Sequence, residues 1–203
     1  MSAKAVRSAH TGVRGTIMAL LLVATGVCCA ADAPPSAAPA PAAHAIKLVN
    51  PDLEAQPAAG GGIEGWETSS HATANAYTFD LDDKVKHAGN AGLRIRRSGK
   101  EPWGMVHQTL PAAGLAGRTL VFSAWLRTDK ASGEGAILTL RTLAGGAVGS
   151  HVFMDPPVTG TRDWKRYSVR LAIPRSTSVV EIGAMLQGDG TLWLDDAELV
   201  ALP

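Results

Sequence analysis

The sequence has 203 residues, with 19 Lys and Arg against 18 Asp and Glu, for a formal net charge of +1. This length suits one domain of roughly 100–200 residues with additional segments. Because 46% of the residues are hydrophobic and 18% are charged, the chain can bury a core, which argues against wholesale disorder. The near-neutral charge and the composition exclude a DNA-binding protein driven by phosphate contacts and a multi-span membrane protein.

Residues 1–31 have the pattern of a secretory signal peptide. Lys4, Arg7 and Arg14 form a positive region without acidic residues, and the apolar run TIMALLLVATGV follows over 16–27. This run is too short to anchor the chain in a hydrocarbon core of ~30 Å, which needs about 20 residues. We therefore expect the protein to be exported, either to the periplasm or to the medium.

The two cysteines, Cys28 and Cys29, stand at the exit of this segment. The residues before them match poorly the Leu-small-small pattern that precedes a lipidated cysteine. The sequence therefore favours simple cleavage after Ala30 or Ala31 over a lipoprotein anchor. The mature chain would then contain no cysteine, and a core of about 160 residues would have to hold it together without disulfides.

An Ala/Pro-rich segment separates the signal peptide from the rest of the chain. Residues 32–45, which begin DAPPSAAPAPAA, have too little apolar surface to offset their ordering entropy and are predicted to form an extended, disordered linker. The folded domain is predicted over 46–203.

Within the domain, apolar residues alternate with polar ones, and turn signals recur about every ten residues. Ten segments are predicted to be strands: 45–49, 74–81, 91–97, 104–110, 119–128, 136–143, 148–154, 164–173, 179–186 and 191–200. Gly- and Pro-containing segments between them, such as KASGEG at 130–135, suit turns. No convincing helical stripe extends over ten residues. The sequence therefore predicts an all-β, antiparallel sandwich or barrel.

The alternation also assigns side chains to faces of the predicted sheet. Over 119–128 the even-numbered residues from Leu120 to Leu126 are apolar and should face the core, as should Leu138 and Leu140 in the next strand. If these two strands are neighbours, their odd-numbered residues form one mixed aromatic and hydrogen-bonding outer face: Trp125, Arg127, Thr139 and Arg141.

Short motifs are spread over the whole domain. It opens on NPDLE at 50–54, contains GNAGLRI at 89–95 and FSAW at 122–125, and closes on GTLWLDDAEL at 190–199. This order resembles the galactose-binding-like β-sandwiches, and in particular the carbohydrate-binding modules appended to bacterial cellulases and xylanases. Those modules open on Asn-x-x-Phe-Glu and close on Trp-x-Asp-Asp-Val, where this chain has Leu53 and Ala197. The resemblance covers 46–203 and implies an antiparallel jelly-roll β-sandwich.

The resemblance also implies a structural calcium ion near the paired ends of the domain. Carried over by position, Glu54, Asp195 and Asp196 are the candidate ligands, with a carbonyl group from 87–90. The chemistry is reasonable because Ca²⁺ takes six to eight oxygen ligands from carboxylates and carbonyls. In the alternative interpretation Glu54 caps a turn and one of the aspartates accepts backbone N–H groups.

Modules of this kind bind sugars by stacking aromatic rings on them while polar groups read the hydroxyls. Trp103, which follows a proline at the start of a strand, and Trp125, opposite an apolar face, are the candidate platforms. The hydrogen-bonding candidates are Arg127, Arg141 and Gln187. For each of these residues the alternative is ordinary packing or solvation.

No catalytic constellation is evident in the sequence. There is no Gly-x-Ser-x-Gly motif, and none of the histidines of the domain has the i, i+4 spacing of a zinc-binding helix. Asp195 and Asp196 are adjacent in a strand, so their side chains should point to opposite faces. We therefore predict that the protein is not an enzyme and has no catalytic residues.

The leading hypothesis is an exported, non-catalytic binding module for a carbohydrate or similar polar ligand. A structural or protein-interaction sandwich without a sugar ligand is the second, and a divergent hydrolase is the third. A concave groove with an exposed Trp125 would favour the first, a flat apolar patch the second, and two carboxylates or a Ser/His pair converging in a pocket the third. Nucleic acid and a membrane span are not expected.

Overall fold

A computed structural model describes residues 42–55 and 61–203, which form an all-β domain. The strands are β1 (His44–Ile46), β2 (Glu67–Ser70), β3 (Tyr77–Asp82), β4 (Gly92–Arg97), β5 (Gly104–Pro111), β6 (Thr119–Ala144), β7 (Ala147–Phe153), β8 (Val158–Ala172), β9 (Val179–Gln187) and β10 (Thr191–Leu202). Their pairings are antiparallel, so the predicted fold class is confirmed.

The predicted signal peptide and most of the predicted linker lie outside the described residues. β1 begins at His44 and pairs with β10. Among the described residues, no helix has the length and apolarity needed to cross a membrane.

The 26-residue strand β6 joins the two layers of the sandwich. Residues 119–129 of β6 pair with β10 and β8, whereas residues 135–144 pair with β9 and β7. The order of hydrogen-bonded strands is β2-β5-β9-β6-β10-β4-β3. We name as layer A the strands β1, β3, β4, β8 and β10 with the first part of β6. Layer B consists of β2, β5, β7 and β9 with the last part of β6.

The predicted turn at 130–135 is therefore wrong, because the strand continues through it. Lys130, Gly133 and Gly135 have positive φ, and the register with β8 shifts on both sides of Ala131. These irregularities act like β-bulges and let one strand bend from layer A into layer B without a hairpin loop.

The core lies between the layers and consists of alternate residues of each strand. Leu120, Phe122, Leu138 and Leu140 are fully buried, as the alternation predicts. β9 and β10 add further leucines and isoleucines to the same core, among them Leu192. The predicted core face of β6 is confirmed in both of its parts.

The predicted single outer face of β6 is wrong. Trp125 and Arg127 lie on the outside of layer A, whereas Thr139 and Arg141 lie on the outside of layer B. The reason is that these residues belong to one strand that changes layers, not to two neighbouring strands of one sheet. Side chains of the same parity therefore lie on opposite outer surfaces of the sandwich.

The opening motif is fixed by buried polar side chains. The side-chain amide of Gln108 accepts the N–H of Val49 at 2.9 Å and donates to the carbonyls of Val49 and Gly65, both at 2.9 Å. The indole N–H of Trp66 donates to the carbonyl of Asn50 at 3.0 Å. These contacts give Trp66 and Gln108 a structural role.

Candidate functional site

The outer face of layer B holds a groove, which we name the layer B groove. Its central cleft of about 260 Å³ is lined by side chains that include Trp103, Met105, Arg141, His151, Phe153 and Gln187. A second cleft of about 380 Å³ shares Phe153 and Gln187 with it. A third of about 350 Å³ shares Trp103 and Gln187, so the three form one continuous depression.

Two aromatic side chains stand at the borders of this groove. Trp103 precedes β5 and is half-buried, and the ring of His71 meets it edge-on with centroids 6.0 Å apart. Phe153 ends β7, is 49% exposed and lies 4.0 Å from the ring of His151, measured between centroids. Exposed rings beside a depression suit stacking on the apolar face of a ligand.

The carboxylate of Glu101 holds the segment that flanks Trp103. It accepts the Thr73 hydroxyl at 2.5 Å and contacts the His71 Nδ1 at 2.9 Å, while the His71 N–H donates to the Trp103 carbonyl at 3.2 Å. The bonds from Thr73 and His71 lower the pKa of Glu101. Contacts with residues 71–73 thus hold the backbone of Glu101 and Trp103 in place.

A buried ion pair forms the polar centre of the groove. The guanidinium of Arg141 meets the carboxylate of Glu181 at two points, 2.7 and 2.8 Å, and Glu181 is only 5% exposed. His151 Nε2 lies 2.7 Å from the hydroxyl of Thr139. Burial and the positive charge of Arg141 lower the pKa of His151. Only the 2.8 Å contact has hydrogen-bond geometry, so Nε of Arg141 and Oε1 of Glu181 are buried without a hydrogen-bond partner among the described residues.

The floor of the groove is apolar and contains a gap in the row of side chains. Met105, Met185 and Ile137 are buried on this face. Gly183 pairs with Thr139 on one side and His107 on the other, so the row of side chains is interrupted between them. A Cβ atom at Gly183 would collide with the carbonyl oxygen of a neighbouring strand, so the close approach of the strands requires glycine here.

Three of the predicted ligand-binding residues meet in the layer B groove. Trp103, Arg141 and Gln187 all line its central cleft, and Gln187 donates to the carboxylate of Glu134 at 2.9 Å. Sequence reasoning missed Phe153 and Glu181. A signal for Glu181 was available, because it is the single charged residue in the apolar strand VVEIGAMLQ.

Trp125 and Arg127 lie on the opposite surface, outside layer A. Trp125 borders a cleft of about 420 Å³, but the His87 ring stacks on its indole with centroids 3.8 Å apart and an interplanar angle of 16°. Arg127 lies 3.6 Å from the carboxylate of Asp163 and 6.0 Å from the ring centroid of Trp193. Both predicted ligand residues are therefore engaged by other side chains of the protein.

The carboxylate of Glu54, a candidate calcium ligand, is surrounded by N–H donors. It accepts the backbone N–H of Asn90 at 2.7 Å, the side-chain amide of Asn90 at 2.6 Å and the N–H of Ala91 at 3.2 Å. These bonds lower the pKa of Glu54. Both of its oxygens face donors, which is the arrangement of a capped turn.

The two aspartates of the closing motif are engaged in the same manner. Asp195 accepts the N–H of His87 at 2.8 Å, of Ala88 at 3.2 Å and of Asp196 at 2.8 Å, while burial raises its pKa. The Asp196 carboxylate lies 2.6 Å from Nδ1 of His87.

This set of contacts does not fit a calcium ion well, because Ca²⁺ needs six to eight oxygen ligands and these carboxylates already contact N–H groups and an imidazole. In the part of the chain that the structure describes, no three His, Cys, Asp or Glu side chains are grouped so that they could hold a metal. The contacts agree with the alternative interpretation of a capped turn. Calcium binding itself stays a prediction.

Sequence comparisons find similarity to known proteins over only a small part of the chain. No protein-family model matches it. A curated relative, the uncharacterized HTH-type transcriptional regulator YbfP of Bacillus subtilis (strain 168), is 29% identical over 73 residues. This match covers 36% of the chain and 21% of that protein, so the chain spans about a fifth of its relative's length.

Structural comparisons are more extensive. The CBM22-1 xylan-binding domain from Paenibacillus barcinonensis Xyn10C aligns with a TM-score of 0.56 and 12% identity, over 80% of this chain and 97% of that domain. A CBM4 structure aligns with a TM-score of 0.50 and 15% identity, over 76% and 99% of the two chains.

The enzymatically active domain of bacteriophage CBA120 tailspike protein 4 aligns with a TM-score of 0.52 and 15% identity, over 66% of this chain and 19% of that one. At these identities the likeness shows the fold. The β-sandwich resembling carbohydrate-binding modules, which the motifs predict, is confirmed.

Proposed function

We propose that the protein is a carbohydrate-binding module and that the sugar binds in the layer B groove. The observation that carries the proposal is the pair of aromatic borders, Trp103 and Phe153, around a groove with a fixed polar centre. The C–H faces of a pyranose ring can stack on the aromatic rings, and the Arg141–Glu181 pair can exchange hydrogen bonds with its hydroxyls. The likeness to a xylan-binding domain supports the same class of ligand.

The outer face of layer A is less suited to a sugar. His87 already covers one face of the Trp125 indole at stacking distance, so a sugar would have to displace the imidazole. The charged residues beside Trp125 are also paired, Arg166 with Glu198 and His87 with Asp196. A sugar that stacks on Trp125 would therefore have to break the contact between His87 and Asp196 as well.

We further propose that the module is exported and non-catalytic. Export rests on the predicted signal peptide at 1–31. In the groove, one oxygen of Glu181 accepts a hydrogen bond from Arg141 and the other lies 2.7 Å from its Nε, while the carboxylate of Glu134 accepts from Gln187. Carboxylates committed in this way are poorly placed to exchange protons with a substrate.

A glycan array tests the proposal on the purified full-length protein, together with Trp103→Ala and the matched control Trp125→Ala. We expect specific glycan binding that Trp103→Ala weakens and Trp125→Ala keeps. Circular dichroism confirms that each protein is folded. Silence of the folded wild-type protein across the array would contradict carbohydrate binding. Loss of binding in Trp125→Ala alone would place the site on layer A.

A further inference from the structure

Tyr77, a residue of layer A, lies where two walls of the layer B groove come together. The third cleft of the groove, of about 350 Å³, is lined by two segments that we name its walls, one with Pro102 and Trp103 and the other with Gln187 and Gly188. Tyr77 begins β3, is 2% exposed and belongs to no set of ligand-binding candidates. Its hydroxyl nevertheless contacts the main chain of both walls.

The hydroxyl group bonds to one carbonyl on each side. Its oxygen lies 3.2 Å from the carbonyl oxygen of Glu101 and 3.1 Å from that of Gly188, and it accepts the N–H of Gly188 at 3.4 Å. A phenol has one proton, so these two rather long distances describe a proton shared between two acceptors. Glu101 is two residues before Trp103, and Gly188 directly follows Gln187.

The ring of Tyr77 packs against the backbone of Gly104, the residue that follows Trp103. A Cβ atom at Gly104 would collide with the Tyr77 ring. Burial raises the pKa of Tyr77, which keeps the phenol protonated and able to donate. The side chain thus contacts the Trp103 wall with its ring and connects that wall to the Gln187 wall with its hydroxyl.

We propose that Tyr77 is a positioning residue of the binding groove, whose hydroxyl fixes the Trp103 ring relative to Gln187. The inference rests on the proposed function. A fixed distance between these walls matters because a sugar then enters a site that already has its bound shape. A preorganised site avoids the entropy cost of ordering its walls when the ligand binds. Without the hydroxyl, the two carbonyls lose their common donor and the walls can move independently.

The test uses Tyr77→Phe, which keeps the ring and removes the hydroxyl, and Tyr167→Phe as the matched control. Tyr167 is the second of the two tyrosines and lies half-buried in layer A. Melting temperatures confirm that both variants fold. The first readout needs no sugar: acrylamide quenching of Trp103, obtained as the difference between each protein and the same protein carrying Trp103→Phe.

The second readout is the affinity for xylohexaose, measured by titration calorimetry. We expect Trp103 quenching to increase and the Kd to rise roughly fivefold in Tyr77→Phe, the effect of losing one ordinary hydrogen bond, with no change in Tyr167→Phe. In a Trp103→Ala background the Tyr77→Phe change should have no further effect on the Kd, because residues that act through one another are not additive.

The outcomes separate the two proposals. Unchanged Trp103 quenching in Tyr77→Phe, or an equal change in Tyr167→Phe, would overturn the positioning role. So would a loss of affinity that adds fully to that of Trp103→Ala. Increased quenching in a protein that binds neither xylohexaose nor any glycan of the array would support the positioning role and overturn the carbohydrate proposal.

Discussion

The two outer faces of the sandwich use charged residues in different ways. On layer A, exposed ion pairs such as Arg166–Glu198 occur side by side, and each partner is about half exposed. On layer B, the Arg141–Glu181 pair lies in a groove with apolar surroundings, and its carboxylate is buried. An exposed ion pair contributes little to the stability of the fold. Removing one partner of a buried pair is costly, because the other charge is then left without a partner, so the pair gives the groove a rigid polar centre.

The aromatic residues of the two faces differ in how far other side chains of the protein cover them. Trp125 on layer A is covered by His87, and the Trp193 indole N–H donates to Asp82 at 2.9 Å beneath Arg127. On layer B, Phe153 is half exposed and borders two clefts. An aromatic side chain on an outer sheet face is therefore available to a ligand only where no neighbouring loop supplies a ring or a charge to cover it.

The largest expected difference between the faces is in the free energy of unfolding after removal of one carboxylate. Glu181→Ala leaves the half-buried guanidinium of Arg141 without its partner and should cost about 2–3 kcal/mol. Glu198→Ala removes an exposed partner of Arg166 and should cost less than about 0.5 kcal/mol. Urea unfolding of both variants measures the difference.

Equal losses in these two variants would contradict the contrast between the faces. Arg141→Met provides a further control, because it removes the charge that Glu181 faces while keeping much of the side-chain volume. Combined with Glu181→Ala, it should cost less than the sum of the single changes, since each single variant leaves one charge of the pair alone and the double variant leaves neither.

The second prediction concerns Phe153, which should contribute to binding and hardly to folding. Phe153→Ala removes an exposed ring at the border of the groove and should raise the Kd for the best glycan of the array about tenfold, at a nearly unchanged melting temperature. Val148→Ala, a 54% exposed position of the same strand, is the matched control and should bind as the wild type does. Equal affinities of the two variants would remove Phe153 from the site.

The third prediction concerns the carboxylates of the opening and closing motifs. Because Glu54 is engaged by N–H donors of 90–91, excess calcium or EDTA should shift the melting temperature by less than about 1 °C. Asn90→Ala, which removes one of these donors, should cost about 1 kcal/mol. A clear rise of the melting temperature with calcium, absent in Glu54→Gln, would instead establish the metal site that the motifs imply.

Local sequence features predicted much of the fold. The period of two in β6 identifies its core face because Leu120, Phe122 and the residues that follow at even positions are apolar. The continuity of β6 could not be predicted in this way. The glycines at 133 and 135 are equally suited to a turn and to an irregular strand, and the choice is made by pairing with β8, β9 and β10, which are distant in sequence.

The sequence predicted which residues line the groove better than it predicted how these residues are arranged. Trp103, Arg141 and Gln187 do meet in one groove, although Arg141 and Gln187 were predicted to flank Trp125, which faces the other way. That error follows from the layer change of β6. The covering of Trp125 by His87 depends on where the loop after β3 folds back, which no local pattern in the sequence determines.

The smallest expected effect is a difference in pH dependence between the faces. Burial and the charge of Arg141 depress the pKa of His151 on layer B below its ordinary value of 6.5. On layer A, burial acts to raise the pKa of Asp82, but bonds from the Trp193 indole and neighbouring N–H groups, with the charge of Arg94, lower it overall from 3.8.

Both groups therefore contribute stability that is complete above the pKa of the unfolded chain and is lost as the pH falls through the folded value. The loss due to His151 should begin near pH 6.5 and the loss due to Asp82 only near pH 3.8. Melting temperatures recorded against pH should accordingly fall less steeply below pH 6.5 in His151→Gln than in the wild type. Asp82→Asn should change the pH dependence of the melting temperature only below about pH 3.8. An effect of Asp82→Asn near pH 6.5, or of His151→Gln only near pH 3.8, would contradict this difference between the faces.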